Sequence, residues 1–246
     1  MIFGKSAITP SIFSVFMNDL NSITSGASEA IAHKIAAIRQ EIPSTVKLVA
    51  ISKGATVAQM RAAYAAGQRD FGESRIQATI EKQAALADLP DICWHLIGQL
   101  QSNKVRKAVQ MFQVIHSVDS LKLCQQIDRV AAELGKCPQV FLQVKLLPDP
   151  QKSGWSEADL LIDLPEINQC NSLQVNGLMS IAPMGLDDQA LSCLFVSIAS
   201  LQNAINQYNY PSINLKYLSM GMSQDYLLAV AAGSNIIRVG SKIFTY

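Results

Sequence analysis

The feature that most constrains this chain is an alternation. Short apolar runs rich in Val, Ile and Leu take turns with longer stretches of helical period, eight times over, with few residues between them. The first run, residues 47–52, reads Lys-Leu-Val-Ala-Ile-Ser and has the form of a strand. Further strands are expected at residues 69–73, 93–98, 113–118, 140–144, 173–179, 215–219 and 235–240. A helix between two strands returns the chain to the same end of the sheet, so such strands pair in parallel. Eight units in 246 residues select an α/β fold, a single TIM-type (β/α)8 barrel, over an open doubly wound sheet. No Gly-x-Gly-x-x-Gly follows any of the strands, which weakens a dinucleotide-binding reading.

The helices carry their own signals. Ile31, Ile35, Ile38 and Ile42 recur at three- and four-residue steps, and Pro43 closes that face. Thr56-Val57-Ala58-Gln59 has the form of a capping box. Ser120 is placed as a cap and Gly135 as a stop. The barrel is expected over residues 28–246. Residues 1–27 read as an N-terminal extension or loose helix. Its lone Lys5 and its apolar patch over residues 12–17 do not make a signal peptide.

Composition excludes several classes. A hydrophobic share of 49% against 16% charged residues provides a core and argues against disorder. The net charge of +1 argues against a broad nucleic-acid surface. Lys104, Arg106 and Lys107 read as one solvated helix face. The five cysteines include no Cys-x-x-Cys pair, so neither a disulfide framework nor a zinc site is expected, and the compartment expected is the reducing cytoplasm. The histidines at 33, 95 and 116 lack metal-ligand spacing, and His95 is expected to pack beneath the barrel mouth. The longest apolar runs are far too short to span a membrane.

In a barrel of this kind the chemistry belongs at the C-terminal ends of the strands. Lys53 stands there after the first strand, Glu73 and Ser74 after the second, Lys145 after the fifth, and Met179 and Ser180 at the sixth. A lysine at an apolar mouth can lose hydration, drop its pKa and attack an aldehyde. The plain alternative is a solvated lysine at a strand end. After strands seven and eight come two small-residue turns, Ser219-Met220-Gly221-Met222-Ser223 and Arg238-Val239-Gly240-Ser241. Such turns let backbone N–H groups approach an anion, and these two loops are where this fold habitually holds phosphate. Read separately, each is an ordinary tight turn. Read together, opposite Lys53, they point to a phosphorylated aldehyde, and pyridoxal 5′-phosphate (PLP) fits that description. Arg238 is then a partner for the pyridine nitrogen. An arginine does not protonate that nitrogen as an aspartate would, so the cofactor would be a weaker electron sink.

The motifs extend this reading. They are Leu48-Val49-Ala50-Ile51-Ser52-Lys53, Phe71-Gly72-Glu73, the block from Trp94 to Lys104, Lys152-Ser153-Gly154, Gly177-Leu178-Met179, Leu218 to Ser223 and Arg238 to Phe244. In these the chain resembles the YggS/PROSC-like pyridoxal phosphate homeostasis family, whose barrel is like the N-terminal domain of alanine racemase. The resemblance covers about residues 28–246. It implies that Lys53 holds PLP as a Schiff base and that Ser223, with the Gly240 and Ser241 backbone, receives the phosphate. It also implies that Arg238 lies near the pyridine nitrogen and that Met179 and Met220 line the ring pocket. Ser74 stands where the family usually has Asn, a shorter reach to the cofactor. Lys145 also stands where Asn is usual, either as a transient PLP acceptor or as a rim lysine.

The function so implied is binding and intracellular supply of PLP without catalytic residues. PLP-dependent apo-enzymes are the partners such a carrier would serve. A monomer is expected, with neither nucleic acid nor membrane as partner. The alternative is a PLP-dependent amino-acid racemase-type enzyme. Racemisation needs two opposed bases, and nothing in the sequence aims Tyr217 or Tyr226 at the cofactor. A class I aldolase ranks third, because its lysine would be expected deeper in a later strand.

Overall fold

Successive side chains on a strand face opposite ways, and the first strand shows what that does here. On β1 (Lys47–Ile51), Leu48 and Ala50 join the layer between sheet and helices, whereas Val49 and Ile51 face the interior. The chain repeats this through β2 (Asp70–Glu73), β3 (Cys93–Leu96), β4 (Val114–Val118), β5 (Gln139–Gln143), β6 (Gln174–Met179), β7 (Ile213–Ser219) and β8 (Ile236–Val239). These strands close in chain order into a parallel barrel, with Val49 of β1 in register with Arg238 of β8. This is the computed structural model of the protein, and it describes residues 10–149 and 152–245, with side chains from residue 26 onward.

The surrounding helices are α1 (Pro10–Glu41), α2 (Val57–Ala65), α3 (Ile76–Ala85), α4 (Val105–Met111), α5 (Leu121–Leu134), α6 (Glu157–Ile167), α7 (Asp188–Asn206), α8 (Tyr226–Ala231) and α9 (Ser241–Phe244). The Thr56 capping box forms in both directions, with Gln59 N donating to Thr56 Oγ1 and Thr56 N donating to Gln59 Oε1. Ser120 caps α5, and Gly135 ends it at a φ of 59°, where a glycine avoids the Cβ clash of the left-handed region. Ile31, Ile35, Ile38 and Ile42 are buried against the barrel, as their spacing predicts.

The helix runs further than its periodicity indicates. α1 begins at Pro10, so the extension expected over residues 1–27 is helical from that point, and residues 1–9 lie outside the described part. Ser22, Thr24, Ser25 and Gly26 dilute the helical signal there without breaking the backbone hydrogen-bond ladder. No helix among the described residues is long and apolar enough to cross a membrane.

The seam between β7 and β8 is the shortest pairing, with Ser219 opposite Ile236. Side chains complete it. Asn235 Oδ1 accepts from Leu218 N at 2.8 Å while its Nδ2 donates to Lys216 O at 2.9 Å. Ser234 Oγ donates toward Leu218 O and Met220 O. This seam ends at the site described next.

Candidate cofactor site

The C-terminal ends of the strands enclose a cavity of about 550 Å³, within the range that holds small-molecule ligands. Lys53, Ser74, Ser223, Arg238, Gly240 and Ser241 all border it. They come from the ends of β1 and β2 and from the loops after β7 and β8, so residues far apart in sequence meet because the barrel closes. Ile51, Ile97, Ile181 and Met222 form the apolar wall.

Met179 and Met220, the other two candidates, do not line the cavity. Both are fully buried. Met179 faces the barrel interior with Val49, Val114, Phe141 and Ile236, while Ile181, two residues on, reaches the cavity. Met220 follows inward-facing Ser219 and therefore turns outward into the layer beneath the helices. Met222 occupies the cavity wall instead.

Lys53 is exposed at the rim. Its backbone is firmly held. Lys82 Nζ donates to Ser52 O at 2.5 Å, and Ser52 Oγ donates to Glu73 Oε1 at 2.7 Å. Glu73 thus faces α3, not the mouth. Ser74 is fixed by close approach, since a Cβ on Gly98 would stand 2.2 Å from Ser74 O. Lys145 does not border the cavity. Its Nζ donates to Asp149 O at 3.2 Å and Lys152 O at 3.1 Å, which ties down the loop after β5.

Arg238 forms part of the cavity floor and is 4% exposed. Nη1 donates to Ser219 O at 2.6 Å and to Ser219 Oγ at 2.8 Å, and Nη2 donates to Ser180 O at 2.9 Å. Burial pushes the guanidinium down to about 10, opposed by the charge of Asp225, so it stays cationic at neutral pH. Above it, Gly240 N donates to Ser223 Oγ at 3.3 Å. Asp225 Oδ1 accepts from Met222 N at 2.5 Å and so shapes the turn after β7.

His95 and His116 lie beneath this floor, inside the barrel. His95 is buried as expected, but it is hydrogen-bonded to Asp70 and His116 rather than merely packed. Asp70 and His116 were not singled out from the sequence. The available signal was their inward parity on β2 and β4, which places polar groups where the barrel interior is otherwise apolar. Asp70, Cys93 and His95 have ligand atoms within 4.8 Å of one another. The Lys47 ammonium already takes the cation position, 3.0 Å from Asp70 Oδ1. A second cavity of about 560 Å³ opens at this opposite end of the strands. Its cations are engaged within the fold, with Arg39 donating to Ala66 O and Gly67 O and Arg69 paired to Asp91.

The model of the family described as alanine racemase, N-terminal domain, matches residues 27–246. A pyridoxal phosphate homeostasis protein from Synechocystis is 49% identical over 203 residues, 82% of this chain and 92% of its own length. The chain belongs to the pyridoxal phosphate homeostasis protein family. The Pseudomonas aeruginosa member is 39% identical, covering 82% of this chain and 85% of its own. PipY of Synechococcus elongatus, a solved structure with PLP bound, superposes with a TM-score of 0.83 at 51% identity. That match covers 87% of this chain and 99% of PipY. The family's α/β barrel is the fold that the eightfold alternation implies.

Proposed function

We propose that this protein binds PLP at the cavity above Arg238 and serves intracellular PLP homeostasis rather than catalysis. One observation carries the reading: Lys53, Ser74, Ser223, Arg238, Gly240 and Ser241 border a single cavity at the C-terminal mouth. PLP contributes an electrophilic aldehyde and an electron-withdrawing ring when bound. Lys53 Nζ would hold the aldehyde carbon as a Schiff base, with the aldehyde oxygen leaving as water, and its backbone is anchored by Lys82. The Ser223 hydroxyl and the backbone at Gly240 and Ser241 would receive the phosphate. Arg238 would face the ring nitrogen and donate a hydrogen bond to it without giving up its proton. A nitrogen left unprotonated makes the ring a weak electron sink, which favours holding over transformation. The relatives named for PLP homeostasis support this reading. PLP-dependent apo-enzymes in the cytoplasm are the proposed recipients, served by a monomeric barrel over residues 28–246.

Borohydride reduction of the PLP-loaded protein, followed by peptide mass spectrometry, tests the assignment. The cofactor mass is expected on Lys53, and Lys53→Ala should lose visible absorbance while keeping its thermal transition. Label on Lys145, or none, would overturn it. Racemisation of D- or L-alanine that disappears in Lys53→Ala would favour the enzyme reading.

A further inference from the structure

Beneath the cavity a chain of polar side chains crosses an otherwise apolar interior. It begins at Arg238 on β8, whose Nη1 donates to Ser219 Oγ on β7 at 2.8 Å. Ser219 Oγ lies 2.9 Å from His116 Nδ1 on β4. His116 Nε2 lies 2.8 Å from His95 Nδ1 on β3. His95 Nε2 lies 2.9 Å from Asp70 Oδ1 on β2. Both imidazoles are buried, with 1% and 0% exposure, and Phe141 stacks on His116 at 4.4 Å with the rings 1° from parallel. Five strands therefore contribute to one continuous path from the cavity floor to the other end of the barrel.

Counting protons along this path leaves one arrangement. A guanidinium only donates, and a carboxylate only accepts. A neutral imidazole has one donor nitrogen and one acceptor nitrogen. Both rings are neutral, because burial pushes each below the usual 6.5 and the Arg238 charge adds to this at His116. Asp70 stays ionised: burial raises it, but the His95 hydrogen bond and the Lys47 charge outweigh that and hold it below the usual carboxylate value. Asp70 then requires the proton on His95 Nε2. His95 Nδ1 becomes an acceptor, so His116 Nε2 must donate to it. His116 Nδ1 is left as an acceptor, and the Ser219 hydroxyl must donate to it. The Ser219 oxygen is thereby left to accept from Arg238. Every donor points from the cavity towards Asp70.

We infer that Asp70 is a positioning residue for the cofactor site, fixing through His95 and His116 the orientation of Ser219 and hence of the Arg238 guanidinium that meets the ligand ring. The ring contact rests on the PLP reading above, but the one-way proton arrangement does not. Without the Asp70 acceptor, His95 can carry its proton on Nδ1. His116 must then donate to Ser219 Oγ, which already accepts from Arg238, and the serine hydrogen loses its acceptor. The groups facing the chain are Lys47 and Cys93 at the Asp70 end, Tyr217 beside the interior cluster, and Asp225 towards Arg238. None of these comes between its members.

Long-range proton–nitrogen NMR correlation on the ¹⁵N-labelled full chain reads the tautomers directly. Only three histidines are present, and the signal of exposed His33 is identified by its loss in His33→Gln. His95 and His116 are expected with protonated Nε2 and bare Nδ1, with or without PLP. In Asp70→Ala the tautomers should mix, and PLP should dissociate about three- to tenfold faster, as expected for coupling through a polar network. Asp70→Asn, which keeps an acceptor oxygen, should restore both the tautomers and most of the retention. A wild-type His95 or His116 protonated on Nδ1 would overturn the chain. Unchanged PLP release in an Asp70→Ala protein whose tautomers have mixed would overturn the positioning role. A protein that shows the expected tautomers but never takes up PLP leaves the chain standing and refutes the cofactor reading instead. If Asp70→Ala fails to fold, the wild-type tautomers decide the chain, and PLP release from Asp70→Asn against His116→Gln decides the positioning role, with equal rates in both overturning it.

Discussion

Glu73 stands beside Ser74 and faces the opposite way. The sequence places both at the end of β2, but only Ser74 reaches the cavity. Glu73 is buried beneath α3, where Oε1 accepts from Lys82 Nζ at 2.7 Å and Oε2 has no protein partner among the described residues. A buried ion pair gains little over an apolar pair, but removing one member strands the other charge. Lys82→Met is therefore expected to cost about 3–5 kcal/mol, measured by urea denaturation. Lys82→Met with Glu73→Leu should recover most of that loss. A single variant as stable as the wild type would show that the pair does not hold Ser52 and Lys53 in place. The sequence lists a glutamate and a lysine nine positions apart. It does not show that the strand turns one towards the helices and that α3 brings the other over it.

Helices and their caps were legible because their determinants are local. Thr56 and Ser120 accept from backbone N–H groups three residues on, and Gly135 supplies the left-handed turn its position requires. The β7–β8 seam is different, since its hydrogen bonds come from side chains across the junction. Asn235→Ala would strip partners from Leu218 N and Lys216 O at once. Unsatisfied backbone groups cost about 1–3 kcal/mol, and the loss should appear with faster hydrogen exchange at the Leu218 amide. Exchange at Leu218 that is as slow as in the wild type would mean the seam closes without Asn235.

At the scale of the whole molecule the interior polar chain makes stability depend on pH. His95 and His116 are held below their usual 6.5 when folded. As pH falls below about 6.5 the unfolded chain takes up protons that the folded chain refuses, so stability declines with acidity. Asp70 acts later. Its folded pKa lies below the usual 3.8, so its contribution persists above that value and is lost as pH falls through the folded one. Thermal unfolding followed from pH 8 to pH 5 should show a midpoint that is level above about 6.5 and falls below it. A level midpoint across the range would mean that the two imidazoles take up protons in the folded protein as readily as in the unfolded chain.

The sequence by itself determined the number and order of the strands, the helix caps, and which polar residues stand at the strand ends. Those properties follow from periods of 2 and 3.6 residues and from contacts spanning a turn or less. Tertiary structure decided which way the side chains face. Val175 turns towards the helices while Gly177, of the same parity, faces inward, because the register shifts between them. A bulge of this kind breaks any count of alternation along the strand. Closure of the barrel also decided which distant residues touch. It put Lys53 and Arg238 on one cavity, moved Met179 and Met220 away from it, and joined Arg238 to Asp70 through three residues of the strands between. Each of those contacts depends on the position of the other strands, and no local stretch of sequence encodes it.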